Sequence, residues 1–291
     1  MTTPEPAACC GPTCCATETP EPAPSAETIR ATVRETYAAL AAASAESECG
    51  CGPTCCGEGG VTDMIGDAYA TVDGYTTTGD LKLGCGVPTE HAGLEPGQTI
   101  LDLGSGAGLD LFIARSIVGE HGYLIGVDMT PAMVDRARAN AADLGYSNVE
   151  FRLGEIEHLP VRDASVDVVL SNCVLNLVPD KAAAFAEMHR VLKPGAHFCI
   201  SDIVVQGTLP PSIQHSIELH AGCVAGAIEQ TAYLDLLYDA GFTDVEIVAS
   251  RPIDVPDEAL PDSVDLEEVR AFRASGNALL SITVRGTRSL A

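Results

Sequence analysis

The chain has 291 residues, 46% of them hydrophobic, which suffices for one large domain or a domain with appendages. Its 41 acids against 16 bases give a formal charge of −25, which repels phosphate backbones and anionic lipid surfaces, so neither nucleic acid nor membrane is expected as a partner. No apolar run reaches membrane-spanning length, and the opening Met-Thr-Thr-Pro-Glu-Pro has neither the basic nor the apolar part of a secretory signal. The expectation is a cytoplasmic protein whose twelve cysteines are thiols or metal ligands, not disulfides.

Residues 1–24 are Pro, Thr, Glu, Ala and Cys without periodicity and read as a disordered arm. Ser25 can cap a helix to about Ser44, in which Ile29, Val33, Tyr37 and Leu40 recur at helical spacing. Cysteine strings stand on either side of it: Cys9-Cys10-Gly-Pro-Thr-Cys14-Cys15, and Cys49-Gly-Cys51-Gly-Pro-Thr-Cys55-Cys56. The second lies in a Gly-rich stretch, 49–60, that excludes regular structure. Residues 61–97 are loop-rich with room for a short helix, and carry Leu83-Gly84-Cys85-Gly86.

From Thr99 the pattern changes to alternating strands and helices. Ile100–Leu103, Tyr123–Val127, Val149–Leu153, Val166–Leu170 and His197–Ser201 read as strands. Helices are expected from the glycine-rich turn to about Val118, from Pro131 to about Leu144, and from about Asp180 to Leu192. Lys193-Pro194-Gly195 is a stop signal for the last of them. Two helices, 213–227 and 231–240, should follow, with Val245–Val248 and Leu280–Val284 closing the sheet. Residues 252–270, rich in Pro and acids, read as an exposed, solvated excursion. The pattern predicts an α/β fold of seven strands, mostly parallel, with helices on both faces. Its main domain spans 98–250, preceded by the arm and a 25–97 segment and followed by 251–291.

Leu101-Asp102-Leu103-Gly104-Ser105-Gly106-Ala107-Gly108 sits between a strand and a helix, where glycine lets the backbone approach a ligand. Its Gly-x-Gly-x-Gly spacing departs from the dinucleotide fingerprint. Asp128, ending the next strand, can bind both ribose hydroxyls, and Asp102 suits an ammonium group better than a pyrophosphate. An amino-acid-bearing nucleoside, S-adenosylmethionine, fits both. A tight turn with no ligand is the plainer reading of the glycines, and Asp128 at the right distance weighs against it.

Asp-Leu-Gly-Ser-Gly-Ala-Gly, Gly-Val-Asp128-Met-Thr-Pro and Val191-Leu-Lys-Pro-Gly195 resemble the Rossmann-like class I S-adenosylmethionine methyltransferases. More narrowly, Gly154-Glu-Ile-Glu-His-Leu-Pro160, Ser171-Asn-Cys173-Val-Leu-Asn-Leu177 and Gly222-Cys223-Val-Ala-Gly-Ala227 resemble the arsenite methyltransferases, over about residues 61–250. The resemblance implies that Asp102, Gly104, Ser105 and Gly106 lie near the methionine moiety. It puts Asp128 and Met129 beside the ribose and adenine, Glu155 and Ile156 at the adenine edge, and Asn172 beside the sulfonium. It also makes Cys85, Cys173 and Cys223 the ligands of trivalent arsenic, and part of 25–97 a loop covering the cofactor.

These three cysteines are 88 and 50 residues apart, so only the fold can bring them together. Each is expected near the carboxyl ends of the strands, where open α/β sheets bind ligands. Any one alone would be read as a small buried hydrophobe, as Cys199 is here. In the family an upstream cysteine takes part in arsenite capture, which favours Cys49, Cys51, Cys55 and Cys56 as capture thiols. A structural zinc site is the rival for both strings, though adjacent cysteines suit a tetrahedral cage poorly.

The implied activity is methylation of arsenite by a monomeric enzyme, using S-adenosylmethionine and a thiol reductant, thioredoxin or glutathione. A methyltransferase acting on a small organic acceptor and a non-catalytic metalloid-binding protein are the alternatives. Lys82 stands where the family usually has glycine, and an ion pair with a surface acid is its expected role. Tyr69 and Tyr75 could line the cofactor or simply pack. His91, His158 and His220 show no metal spacing.

Overall fold

In the strands the two neighbours Ile100 and Leu101, Leu124 and Ile125, and Val168 and Val169 are all buried although they point to opposite faces. A sheet with two dry faces needs helices on both, which is the parallel α/β solution. The computed structural model, which describes residues 24–42, 68–216, 219 and 223–290, has this form. Both cysteine strings and all but residue 24 of the arm expected over 1–24 lie outside the described residues.

Strands β1 (Thr99–Leu103), β2 (Tyr123–Asp128), β3 (Val149–Leu153), β4 (Val166–Asn172), β5 (Leu192–Gln206), β6 (Phe242–Ile253) and β7 (Ala278–Arg288) make one sheet. Its order is β3-β2-β1-β4-β5-β7-β6, with β7 antiparallel to both neighbours and the other pairs parallel. Ile100, Leu124 and Val168 pack on Phe112 of α3 (Leu109–Val118) and Val134 of α4 (Pro131–Asp143). Leu101, Ile125 and Val169 pack on Phe185 and Met188 of α5 (Lys181–Val191) and Tyr233 of α7 (Gln230–Asp239). The side-chain caps are the expected kind: Ser25 Oγ accepts from Thr28 N at the start of α1 (Ala26–Ala42), and Asp180 accepts from Ala183 N at α5; the one-turn α2 (Pro88–His91) begins on proline instead. Among the described residues no helix is long and apolar enough to cross a membrane.

Three segments differ from the sequence expectation. Helix α5 ends where expected, but the chain passes without a loop into β5, which includes Lys193-Pro194-Gly195 and bulges against β4 between Val166 and Val168. The single helix expected over 213–227 is interrupted: α6 (Pro211–Gln214) is one turn, His215 and Ser216 leave the helical path, Leu219 is helical again, and residues 223–226 form a turn, while 217, 218 and 220–222 lie outside the described residues. Residues 252–270 are not merely solvated. Val255, Val264 and Val269, with Phe272 of α8 (Leu266–Ala274), are buried against Ile203 and Leu279, while Asp254, Glu258 and Asp262 stay exposed. That third apolar cluster also holds Cys85, Cys173 and Cys223.

The strand order reverses between β1 and β4, and a crevice opens at their carboxyl ends.

Candidate active site

The crevice spans about 1080 Å³ of empty space, open solvent at its mouth included. Asp102 near the end of β1, the 104–107 turn, Asp128 and Met129 after β2, Glu155 and Ile156 after β3, and Asn172 and Cys173 at the end of β4 all line it. Gly104 has φ +66°, and a Cβ there would come within 2.3 Å of Val174 Cγ2. The absent side chain therefore lets the loop after β4 lie directly on the glycine turn. Gly106, at φ +49°, has nothing within 4 Å of a built Cβ, so its backbone faces open space.

Asp102 is 3% exposed, and no described residue donates a hydrogen bond to its carboxylate. Burial, together with nearby Asp110 and Asp128, holds its pKa well above the usual carboxylate range. A buried, unpaired carboxylate beside two others fits a cationic ligand, so the donor set suits the ammonium and sulfonium charges of S-adenosylmethionine. Asp128 is also raised by burial, although one oxygen accepts from Gly106 N at 3.0 Å and the other from Thr130 N at 2.8 Å. Ser105 contributes differently from its neighbours: its Oγ is buried over Gly126 with no hydrogen-bond partner among the described residues. Glu155 is 3.6 Å from the guanidinium of Arg34, and Arg30 donates to Glu157 at 2.8 Å, so α1 lies along this side of the crevice.

Asn172 borders the crevice, but its amide is committed to protein. Oδ1 accepts from Cys85 N at 3.0 Å and Gly86 N at 3.3 Å; Nδ2 donates to Gly86 O at 2.8 Å and Tyr69 Oη at 2.6 Å. Tyr69 Oη in turn donates to Asp110 Oδ1 at 2.7 Å, and Asp110 is pushed up to about 6 by burial despite these bonds. The Cys85 carbonyl is held from the opposite side by Arg251 Nη2 at 3.0 Å and by the Ser281 hydroxyl. Four residues along, Asn176 Nδ2 donates to Ile203 O at 2.6 Å and to Cys223 O at 3.2 Å. The stretch 172–176 thus ties the Cys85 loop at one end and the Cys223 turn at the other, with Cys173 between them.

Cys85, Cys173 and Cys223 are 0%, 3% and 3% exposed, and all are free thiols. Cys173 hydrogen-bonds to both of the others, which with burial keeps its pKa well above the ordinary thiol value. Burial also pushes Cys85 up. The Cys223 thiol donates to Cys173 O at 2.7 Å. Cys173 and Cys223 have φ of +58° and +65°, in the left-handed region that costs a side-chain-bearing residue about 1–2 kcal/mol. At Cys223 the bond from Val224 N to Leu219 O is of the kind that closes a helix end, with the left-handed position usually given to glycine. Among the described residues no three His, Cys, Asp or Glu side chains stand in ready-made metal-binding geometry. The thiols meet through hydrogen bonds, and Cys223 must leave the Cys173 carbonyl before the three can share a ligand.

Cys199, in mid-strand, packs into the cluster on the α3 face, and burial raises it to about 12. Lys82 makes no ion pair among the described residues. It is exposed, its N–H donates to Asp80 Oδ1 at 2.8 Å, and its φ of +56° explains why glycine suits that position. Sequence reasoning missed Asp110, Asn176, Arg251 and Ser281. Asn176 stood inside a quoted motif; the others have no local signature.

The methyltransferase-domain family matches residues 94–241. The chain is 41% identical over 280 residues to an arsenite methyltransferase of Halobacterium salinarum, covering 90% of this chain and 67% of that protein. It is 37% identical over 199 residues to an arsenite methyltransferase of Aquipseudomonas alcaligenes, covering 66% of this chain and 56% of that one. The chain therefore spans two thirds of the first relative and little more than half of the second. Among solved structures, an arsenic(III) S-adenosylmethionine methyltransferase from Chlamydomonas reinhardtii matches with a TM-score of 0.61 and 39% identity, over 71% of this chain and 68% of that one.

Proposed function

Because the chain belongs to the arsenite methyltransferase family, within the class I methyltransferases, we propose that it methylates trivalent arsenic held on Cys85, Cys173 and Cys223. The observation that carries this reading is the 172–176 stretch, whose Asn172 and Asn176 bind the backbones of the other two cysteine segments beside the crevice. The left-handed φ of Cys173 and Cys223 supports it too, since such strain persists where a site demands it.

When bound, S-adenosylmethionine supplies an electrophilic methyl on a sulfonium centre. Asp102 would take its ammonium group and the Gly106 backbone would border the methionine moiety. Asp128 would hold the ribose, and Met129, Glu155 and Ile156 would enclose the adenine. Trivalent arsenic prefers three thiolates in a pyramid around its lone pair, and that lone pair is the nucleophile. The chain needs no general base for such a displacement. Its part is to hold the arsenic in line with the crevice and to keep water out, as the near-complete burial of the three thiols does. Methylation raises the formal oxidation state of arsenic by two, so a dithiol such as thioredoxin, or glutathione, returns the two electrons before another methyl can be added. Free thiols at this site suit a reducing cytoplasm.

Arsenite binding tests the reading without turnover. Titrated with arsenite, the protein should develop near-ultraviolet arsenic–thiolate absorption, and Cys85→Ser, Cys173→Ser and Cys223→Ser should each diminish it while S-adenosylmethionine still binds. Full absorption in all three variants would refute the assignment.

A further inference from the structure

Helix α1 borders the crevice, and the mechanism has so far used none of it. Arg30, Val33 and Tyr37 recur at i, i+3 and i+7 on one face, and all three line the crevice. Val33 is buried, so this face turns inward. Arg30 Nη2 donates to Glu157 Oε1 at 2.8 Å, and Glu157 is itself buried, so a carboxylate held out of water fixes the guanidinium in place. The Nε of the same guanidinium is left over. It is buried and has no hydrogen-bond partner among the described residues. Glu155 Oε2 stands 3.8 Å from it, near enough for charge attraction and too far for a hydrogen bond. Arg34, one turn further along the helix, faces the same carboxylate at 3.6 Å.

A buried charged donor without an acceptor is costly, and the crevice is where an acceptor can arrive. The strand order says which part of a ligand that is. Asp102 lies near the end of β1, Asp128 ends β2 and Glu155 follows β3, and these strands lie side by side in the order β3-β2-β1. A cofactor with its ammonium group at Asp102 and its ribose at Asp128 therefore has its base at the β3 end, beside Glu155 and Arg30. Adenine presents there an amino group flanked by two ring nitrogens that accept hydrogen bonds, N1 and N7. We propose that Arg30 is a specificity-determining residue of the cofactor site: Glu155 accepts from the adenine amino group, and Arg30 Nε donates to one of the ring nitrogens beside it. This rests on the reading of the crevice as the S-adenosylmethionine site. An acceptor and a donor side by side match adenine and mismatch a base with an oxygen in place of the amino group. Lysine could keep the ion pair with Glu157, but it lacks the planar fork that presents a second N–H at a fixed angle.

The test uses the full chain with Arg30→Lys and Arg30→Met. Calorimetry gives dissociation constants for S-adenosylhomocysteine, which has no methyl to transfer, and for its 1-deaza and 7-deaza analogues, in which C–H replaces one ring nitrogen. Thermal melts report folding. Arg30→Lys should melt like the parent and bind S-adenosylhomocysteine about tenfold more weakly, the loss of one hydrogen bond from a charged donor. Arg30→Met, which also leaves Glu157 buried without this partner, should melt at a lower temperature. One of the two deaza analogues should bind the parent about tenfold more weakly than S-adenosylhomocysteine does and lose nothing further in Arg30→Lys, because the contact is already gone. Equal losses for all three ligands in Arg30→Lys would overturn the proposal in favour of a displaced helix, and parental affinity in that variant would overturn it outright. Both results leave the cofactor reading intact. No binding of S-adenosylhomocysteine to the parent chain would overturn both.

Discussion

Asn172 grips the backbone of Cys85: its Oδ1 accepts from Cys85 N at 3.0 Å, and through Gly86 its Nδ2 closes the other side of the same peptide turn at 2.8 Å. One side chain at the end of β4 thus sets where a thiol 87 residues earlier in the chain stands. Asn172→Ala should raise KM for arsenite by about ten- to a hundredfold, as several bonds to the turn are lost together. Asn172→Asp should be worse for folding, since Nδ2 lies 3.2 Å from Asp110 Oδ2 and a second carboxylate there would face the first. Steady-state kinetics and melting curves of the two variants check the ranking. An Asp variant as stable as Ala would contradict it.

Asp102 should show a conflict between stability and binding. Its carboxylate is buried beside Asp110 and Asp128 and takes no hydrogen bond from any described residue, so Asp102→Asn removes a burden from the ligand-free chain. The variant should melt about 2–4 °C higher, the shift that ~1 kcal/mol gives in a chain of this size. Its affinity for S-adenosylmethionine should fall at least tenfold. Calorimetry in both formats reads the two effects, and undiminished affinity would remove Asp102 from the cofactor site.

The pH dependence of stability should carry the mark of Asp202, buried on β5 and bonded to Ile203 N at 2.9 Å and Tyr233 Oη at 3.3 Å. Burial pushes it up to about 7, and Asp110 to about 6. Because these values exceed those of an unfolded carboxylate, the folded chain binds the extra protons. The stability they contribute is full below about pH 4 and is lost as pH rises through 6 and 7. In Asp202→Asn the fall in melting temperature between pH 5 and pH 8 should be smaller than in the parent. The same slope in both would contradict the assignment.

Lys82 makes the departure from the family's glycine measurable. At φ +56° its Cβ is strained, and the side chain is exposed without an ion pair among the described residues. Lys82→Gly should gain about 1 kcal/mol, part of the left-handed strain being offset by the greater freedom of glycine in the unfolded chain. Denaturant midpoints measure it.

What the sequence revealed depended on how local each signal was. The alternation of strand and helix from Thr99 and the glycine turn after β1 are short-range patterns, and the seven-stranded sheet follows them. The helix expected over 213–227 breaks first at His215 and Ser216 and cannot continue through Cys223, whose left-handed φ hydrophobic periodicity does not register. The β5 boundary was misplaced because Lys-Pro-Gly ends a helix but does not forbid an extended strand immediately after it. Val255 and Val264 were hidden among acids and prolines. At the site, the cysteines could be paired only through family resemblance. The groups that hold them come from far along the chain: Arg251 lies 166 residues from Cys85 and Ser281 lies 196. No spacing rule reaches that far.

The most direct test is the product. Purified chain with arsenite, S-adenosylmethionine and a thiol reductant should yield methylarsenicals, separated by chromatography and identified by mass. Cys173→Ser should yield none while still binding the cofactor. No methylated arsenic from the parent chain, or undiminished yield from Cys173→Ser, would contradict methyl transfer to arsenic on these three thiols.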